Sequence, residues 1–226
     1  MIIRVLRRFI VETIKYVPGM KALYYSRGNQ TPCKPWYFFM QKILGFNRAV
    51  YWPVHFTSKV SNPDKIYAGI DTSPGYMPGC YIYGTAGIYV GDYTQIAPNV
   101  GIMSGNHSAY DSRLTTDNDS PVVIGNYCWL GMNSMILPNV VIGDHTIVAA
   151  GSVVTNSFPE GHCVIGGVPA RKIKDLDSTK CVKFRNKQEY HGYISSENFE
   201  GFSERKLDIE SYSTIRKRFG LDSKGN

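Results

Sequence analysis

Aliphatic residues recur every six positions through the middle of the chain. Val90, Ile96 and Ile102 keep that spacing, and after a gap Ile124, Leu130, Ile136, Ile142, Val148 and Val154 resume it. The residue after each is often Gly or Ala, and the fifth of each hexad is often small or branched. A period of six matches neither the roughly 3.6 of a helix nor the 2 of a plain strand. It predicts short strands joined by tight turns, three per coil, stacked as a parallel β-helix with the aliphatic residue inward. Coils stacked at ~4.8 Å would satisfy one another's backbone hydrogen bonds.

The register is lost between Ile102 and Ile124. HSAYDSRLTTDNDSP is polar and rich in turn formers, which predicts a loop over residues 107–121 extruded from the coil. Residues 2–16 place Ile3, Leu6, Ile10 and Ile14 at helical spacing with Arg4, Arg7, Arg8 and Lys15 between them, and Pro18-Gly19 ends the pattern. Such a helix packs on the body or a neighbour, or makes a weak peripheral membrane contact. The expected organisation is a basic, partly helical arm over 1–49, the β-helix over 50–170, and a C-terminal helix and extension over 171–226. No pattern assigns the segment CVKFRNKQEYHGYISSENF.

Charge is unevenly distributed over the 226 residues. Residues 1–65 carry +9 and residues 171–226 carry +4, while residues 66–170 carry −6 with Arg113 as their one basic side chain. A middle segment so poor in cations excludes a nucleic-acid platform. No apolar run reaches the ~18–20 residues of a spanning helix. The start, MIIRVLRRFIVETIKYVPG, lacks a small-residue cleavage site and does not read as a secretory signal. Five scattered cysteines without C-x-x-C indicate neither a disulfide framework nor a zinc knuckle, so the reducing cytoplasm is the expected compartment.

His107 stands at the root of the extruded loop, where the last ordered coil would fix its position. A neutral imidazole there can take a proton from a poor nucleophile such as a hydroxyl. Asp111, four residues on, is the nearest candidate to hold the ring and its tautomer. A zinc site of the kind built on β-helices needs three imidazoles, two of them five apart, and no H-x-x-x-x-H occurs. No metal is therefore expected.

The strings GIYVGDYTQIAPNVGIMSGNHSAYD and PVVIGNYCWLGMNSMILPNVVIGDHTIVAAGSVVTNSFPEGHCVIGGVPARKIK resemble the hexapeptide-repeat acyltransferases. N-H-x-x-x-D, C-W-L-G and G-G-V-P-A-R in that order are most similar to the galactoside and maltose O-acetyltransferase branch, in detail to enzymes acetylating capsule and O-antigen sugars. The resemblance covers residues 50–175 and implies a left-handed coil, a homotrimer with sites between neighbouring prisms, and acetyl-CoA as donor to a sugar or polysaccharide acceptor. It implies His107 as general base and the backbone amide of Met132 as donor to the developing oxyanion. Trp129, with Gly131 beside it, would wall the acyl channel. Ala149, Ala150 and Gly151 would let the pantetheine arm approach, Thr155 would meet the nucleotide end, and Arg171 and Lys174 the phosphates. The family often has Lys after the Thr155 position, whereas this chain has Asn156. Rival readings are an N-acetyltransferase on an amino-sugar nucleotide, a serine acetyltransferase, and a β-helix scaffold or binding module without catalysis.

Overall fold

The computed structural model describes Thr13 and residues 20–111, 113–114 and 120–222. The helix expected over residues 2–16 lies outside the described residues apart from Thr13, as do residues 112 and 115–119 of the expected loop.

Three sheets form the body. The first holds Lys59–Ser61, Tyr81–Tyr83, Gly101–Met103, Met135–Ile136 and Val153–Val154. The second holds Ile66–Ala68, Ile88–Val90, Val122–Ile124 and Val141–Ile142. The third holds Gln95–Ile96, Trp129–Leu130, Ile147–Val148 and Cys163–Gly167, all parallel, and then Ala170–Asp175, which turns back antiparallel. From Val122 to Val154 the chain visits second, third and first sheets in rotation. Leu130 therefore pairs with Val148 and Ile136 with Val154, one coil apart. This is the parallel coil that the period of six predicts.

The hexad aliphatics form its interior. Val90, Ile102, Ile124, Leu130, Ile136, Ile142, Val148 and Val154 are fully buried, and Ile66 and Ile82 extend the row to earlier coils. Two further positions build the corners. The fourth residue of each hexad takes a left-handed backbone: Tyr93, Asn99, Tyr127, Asn133, Asn139 and His145 all have φ between 55° and 67°. The fifth supplies a buried side chain that bridges coils. Thr72 Oγ1 donates to Gly91 O (2.8 Å) and accepts from Thr94 N–H (3.0 Å). Thr94 Oγ1 repeats this with Gly125 O (2.8 Å) and Cys128 N–H (3.0 Å). Corner amides that no strand can satisfy are thereby paired, which matters because an orphaned buried donor costs about 1–3 kcal/mol.

The second sheet is buried on both sides, which is why its strands read IYV and VVI rather than alternating. Tyr89, Val123 and Val141 face outward yet are covered by Ile215 of the helix Tyr212–Arg218, with Tyr212 stacked on Tyr67 at 4.5 Å. Arg216 fixes that helix by two bonds to the Asp144 carboxylate (2.9 and 3.1 Å) and one to Asp222. The segment that the sequence leaves unassigned becomes a hairpin of Tyr190–His191 with Ile194–Ser195, followed by the helix Ser196–Lys206. His191 stacks on Phe199 at 3.7 Å and its Nδ1 meets Ala68 O at 3.0 Å. At the opposite terminus the short helix Pro35–Phe38 continues into a π-turn over Phe39–Ile43. Its buried Gln41 donates to Val50 O and Trp52 O and accepts from Tyr193 Oη–H, tying arm, first coil and tail together.

Candidate active site

The loop root is built at the end of the first sheet. Just past Gly101–Met103, the buried Ser104 Oγ donates to Tyr83 O (3.2 Å) and accepts from Ala86 N–H (3.0 Å), locking the chain to the coil below before it leaves the prism. His107 follows three residues later and is exposed. Ser108 then shapes the turn: its Oγ accepts from Tyr110 N–H (3.2 Å), and its N–H donates to Leu114 O (2.8 Å). The loop rejoins the body where Val122 N–H donates to Gly87 O. Under this return lies a cavity of about 430 Å³, lined among others by Thr85, Gly87, Pro121, Asp208 and Arg218.

Asp111 differs from the expectation. Both its oxygens face Arg113, whose Nε and Nη2 donate at 2.9 and 2.8 Å while its backbone N–H adds a third bond. Those hydrogen bonds hold the Asp111 carboxyl below its ordinary range. Among the described residues no hydrogen bond joins Asp111 to His107. Arg113 is the part of this root that sequence reasoning missed. Its signal was present, as the one basic side chain in more than a hundred residues, two positions from Asp111.

A second group of predicted residues gathers on the third sheet and its corner with the first. Trp129 is half exposed, and its row runs outward through Ile147 and Val164 to Lys174, three strand steps or ~14 Å away. Gly131 is required where it stands: a Cβ there would lie 2.6 Å from Ala150 N and 2.7 Å from Val148 O. Met132 O accepts from Gly151 N–H (2.8 Å), while among the described residues the Met132 N–H has no acceptor. Ala150 and Gly151 are exposed beside it, Gly151 has open space where a side chain would stand, and Ala149 is half buried. Thr155 Oγ1 donates to Asn156 Oδ1 (2.9 Å). Lys172 is paired with Asp175, but exposed Arg171 and Lys174 have no carboxylate partner among the described residues. Small residues, a free amide and two unneutralised cations along one open face suit a long thioester with a polyphosphate end. The second sheet, covered by the C-terminal helices, offers no such face.

The chain matches the bacterial transferase hexapeptide (six repeats) family over residues 121–156. It is 30% identical over 145 residues to the putative colanic acid biosynthesis acetyltransferase WcaF of Escherichia coli (strain K12), covering 64% of this chain and 78% of that relative. The chain belongs to the hexapeptide-repeat acyltransferases. Galactoside O-acetyltransferase of Escherichia coli (strain K12) is 37% identical over 92 residues, 40% of this chain and 45% of the relative. The chain therefore spans about half the length of that relative. The crystal structure of a maltose O-acetyltransferase from Clostridium difficile 630 superposes with a TM-score of 0.50 at 24% identity, covering 72% of this chain and 91% of that one, and shares its fold.

Within one copy of the chain the two groups of residues stand apart. His107 lies beyond the far end of the first sheet's strand, whereas Met132 precedes its near end. A full prism side, roughly five residues at ~3.3 Å each, separates them. The other histidines have structural places. His145 and His162 continue the corner stack of Tyr93 and Tyr127, at 4.9 Å from Tyr127 to His145 and 5.0 Å between the two imidazoles. His191 is buried, and His55 Nδ1 meets Thr57 Oγ1. Burial pushes the Cys128 thiol up to about 12, which leaves it inert as a nucleophile.

Proposed function

We propose that this chain transfers an acetyl group from acetyl-CoA to a sugar hydroxyl in the synthesis of a surface polysaccharide, on a left-handed coil and in the cytoplasm where the donor is made. The observation that carries the reading is the unpaired Met132 N–H, set beside Trp129 and the small corner Ala149-Ala150-Gly151. Acetyl-CoA, when bound, supplies an activated acyl group as a thioester. Along that face Lys174 and Arg171 would meet its phosphates, Thr155 its nucleotide end, and Trp129 and Gly131 the acyl end of the arm. Met132 N–H would donate to the carbonyl oxygen as negative charge builds there. His107 would take the hydroxyl proton of the acceptor. Asp111, kept ionised by Arg113, would order the loop root that positions His107. The cavity beneath the returning loop offers the acceptor a polar wall.

The acceptor class follows WcaF, of which 78% is covered and whose name places it in colanic acid biosynthesis. Because His107 and Met132 lie on different edges of the prism, the reading places the active site between copies, with His107 from one and Met132 from its neighbour in a homotrimer.

Thiol release from acetyl-CoA, measured across galactosides, maltosides, amino sugars and serine, tests the reading. Release is expected with a neutral glycoside, and His107→Ala should lower the rate by about 100- to 10,000-fold without weakening CoA binding. Turnover only on serine or an amino sugar would shift the assignment to N-acetylation or serine acetylation.

A further inference from the structure

Residues 20–63 contain six Lys and Arg side chains and no Asp or Glu. The same stretch presents large apolar side chains to solvent: Trp36 is 58% exposed, Ile43 63% and Leu44 54%, with Phe39, Phe46 and Phe56 beside them. The aromatic rings meet in two groups. Trp36 stacks on Phe39 at 5.8 Å, Phe46 meets Phe56 edge-on at 6.2 Å, and His55 joins Phe56 to Tyr37 at 4.6 and 5.8 Å. They are also rigidly held, because Gln41 on the inner side of the same turn is bonded to Val50 O and Trp52 O. Exposed apolar side chains on a fixed support, in one stretch with the exposed cations Lys34, Arg48 and Lys59, are uncommon on a protein wetted on every side.

We propose that this surface, centred on Trp36, Phe39, Ile43, Leu44 and Phe46, docks the protein on an anionic lipid bilayer. Trp and Phe rings with Leu and Ile enter the boundary between headgroups and acyl chains, and neighbouring Lys and Arg are drawn to acidic headgroups. A second copy is the poorer occupant, since apposing two acid-free surfaces would bring like charges together. A soluble polyanion would satisfy the cations and leave the aromatics unused. Among the described residues no helix is long and apolar enough to cross a membrane, so the contact is peripheral. Lys59–Ser61, at this end, is two strand steps from Gly101–Met103, the strand leading to His107. The loop root thus stands ~10 Å up the stack from the docking surface, within reach of an acceptor carried on a lipid.

The docking surface is independent of the acetyl-transfer reading and is tested without turnover. The full chain is sedimented with vesicles of phosphatidylcholine alone and of phosphatidylcholine mixed with phosphatidylglycerol. Binding to the mixed vesicles, weakened by added salt, is expected, and Ile43→Glu/Leu44→Glu should reduce it by about 10-fold or more. Trp36→Ala/Phe39→Ala provides a second variant, and a thermal melt checks that each is folded. No sedimentation with mixed vesicles, equal binding to both vesicle types, or variants that bind as wild type does would overturn the proposal. So would a change of oligomeric state by light scattering in either variant, which would assign the surface to contacts between copies.

Discussion

Asp111 and Arg113 are solvent-facing and pair with one another in the turn that follows His107. An exposed ion pair of this kind contributes little stability. Its effect lies in fixing the turn that follows His107, together with the Ser108 bonds to Tyr110 and Leu114. If Asp111 acts through that turn, Asp111→Asn and Arg113→Gln should lower kcat by similar factors and leave acetyl-CoA KM alone. If Asp111 instead turns to the imidazole during catalysis, only Asp111→Asn will matter, and steady-state kinetics of the two variants separate the cases. The turn chemistry of Ser108 and Asp111 was readable in the sequence. Arg113 was marked only by its isolation as a cation, and its partner was not readable, because nothing in a linear pattern says which way a guanidinium two residues away will reach.

The corners explain both what the hexads disclosed and what they concealed. Inward aliphatics keep their spacing of six on both sides of the loop, so the coil could be read directly. The left-handed fourth position is filled by Asn three times and by His145, which tolerate that backbone, but also by Tyr93 and Tyr127, which normally avoid it. Tyr93, Tyr127 and His145 gain from stacking on one another and on His162, a benefit that exists only once coils are superposed. Beyond the helix and extension expected over 171–226, the C-terminal hairpin and the docking of the tail were illegible for a related reason: the hairpin strands are two residues long and the tail's partners lie on the second sheet, over a hundred residues away. The third hexad position yields a clean experiment. Pro98 and Pro138 occupy the place that Met132 holds in its own hexad, so this corner accepts a residue with no N–H. Met132→Pro should leave the melting temperature near wild type and CoA binding intact. It should cut kcat by ~100- to 1,000-fold, as expected for loss of one oxyanion donor. A variant with wild-type kcat would remove Met132 from the mechanism.

On the proposed function, the separation of His107 from Met132 within one copy would make catalysis a property of the assembly. Each of His107→Ala and Met132→Pro should be nearly inactive alone, whereas co-expressed copies carrying one change each should recover part of the activity, since some interfaces would then combine an intact His107 with an intact Met132. Purification through two different tags followed by thiol-release assay measures this. No recovery would place both residues in a site within one copy. Stability has its own long-range dependence, through His191. Burial against Phe199 and Tyr67 lowers its pKa to about 4, below the ordinary 6.5. Between those values the unfolded chain holds a proton that the folded one refuses. Stability present above pH 6.5 is therefore lost as pH falls toward 4, by at most about 3 kcal/mol. Thermal melts should show His191→Phe with a smaller drop between neutral and mildly acidic pH than wild type, despite losing the bond to Ala68 O. The strand Ala170–Asp175 has a consequence of another kind. A stack of parallel strands is open at its end, and an identical molecule could in principle continue it indefinitely, coil upon coil. This strand runs the other way and pairs with Cys163–Gly167, so the outer edge it presents no longer matches the direction a following coil would need. It also carries Arg171, Lys172 and Lys174 along that edge. One reversal of chain direction, with like charges along it, keeps a solenoid of finite length from becoming a fibre.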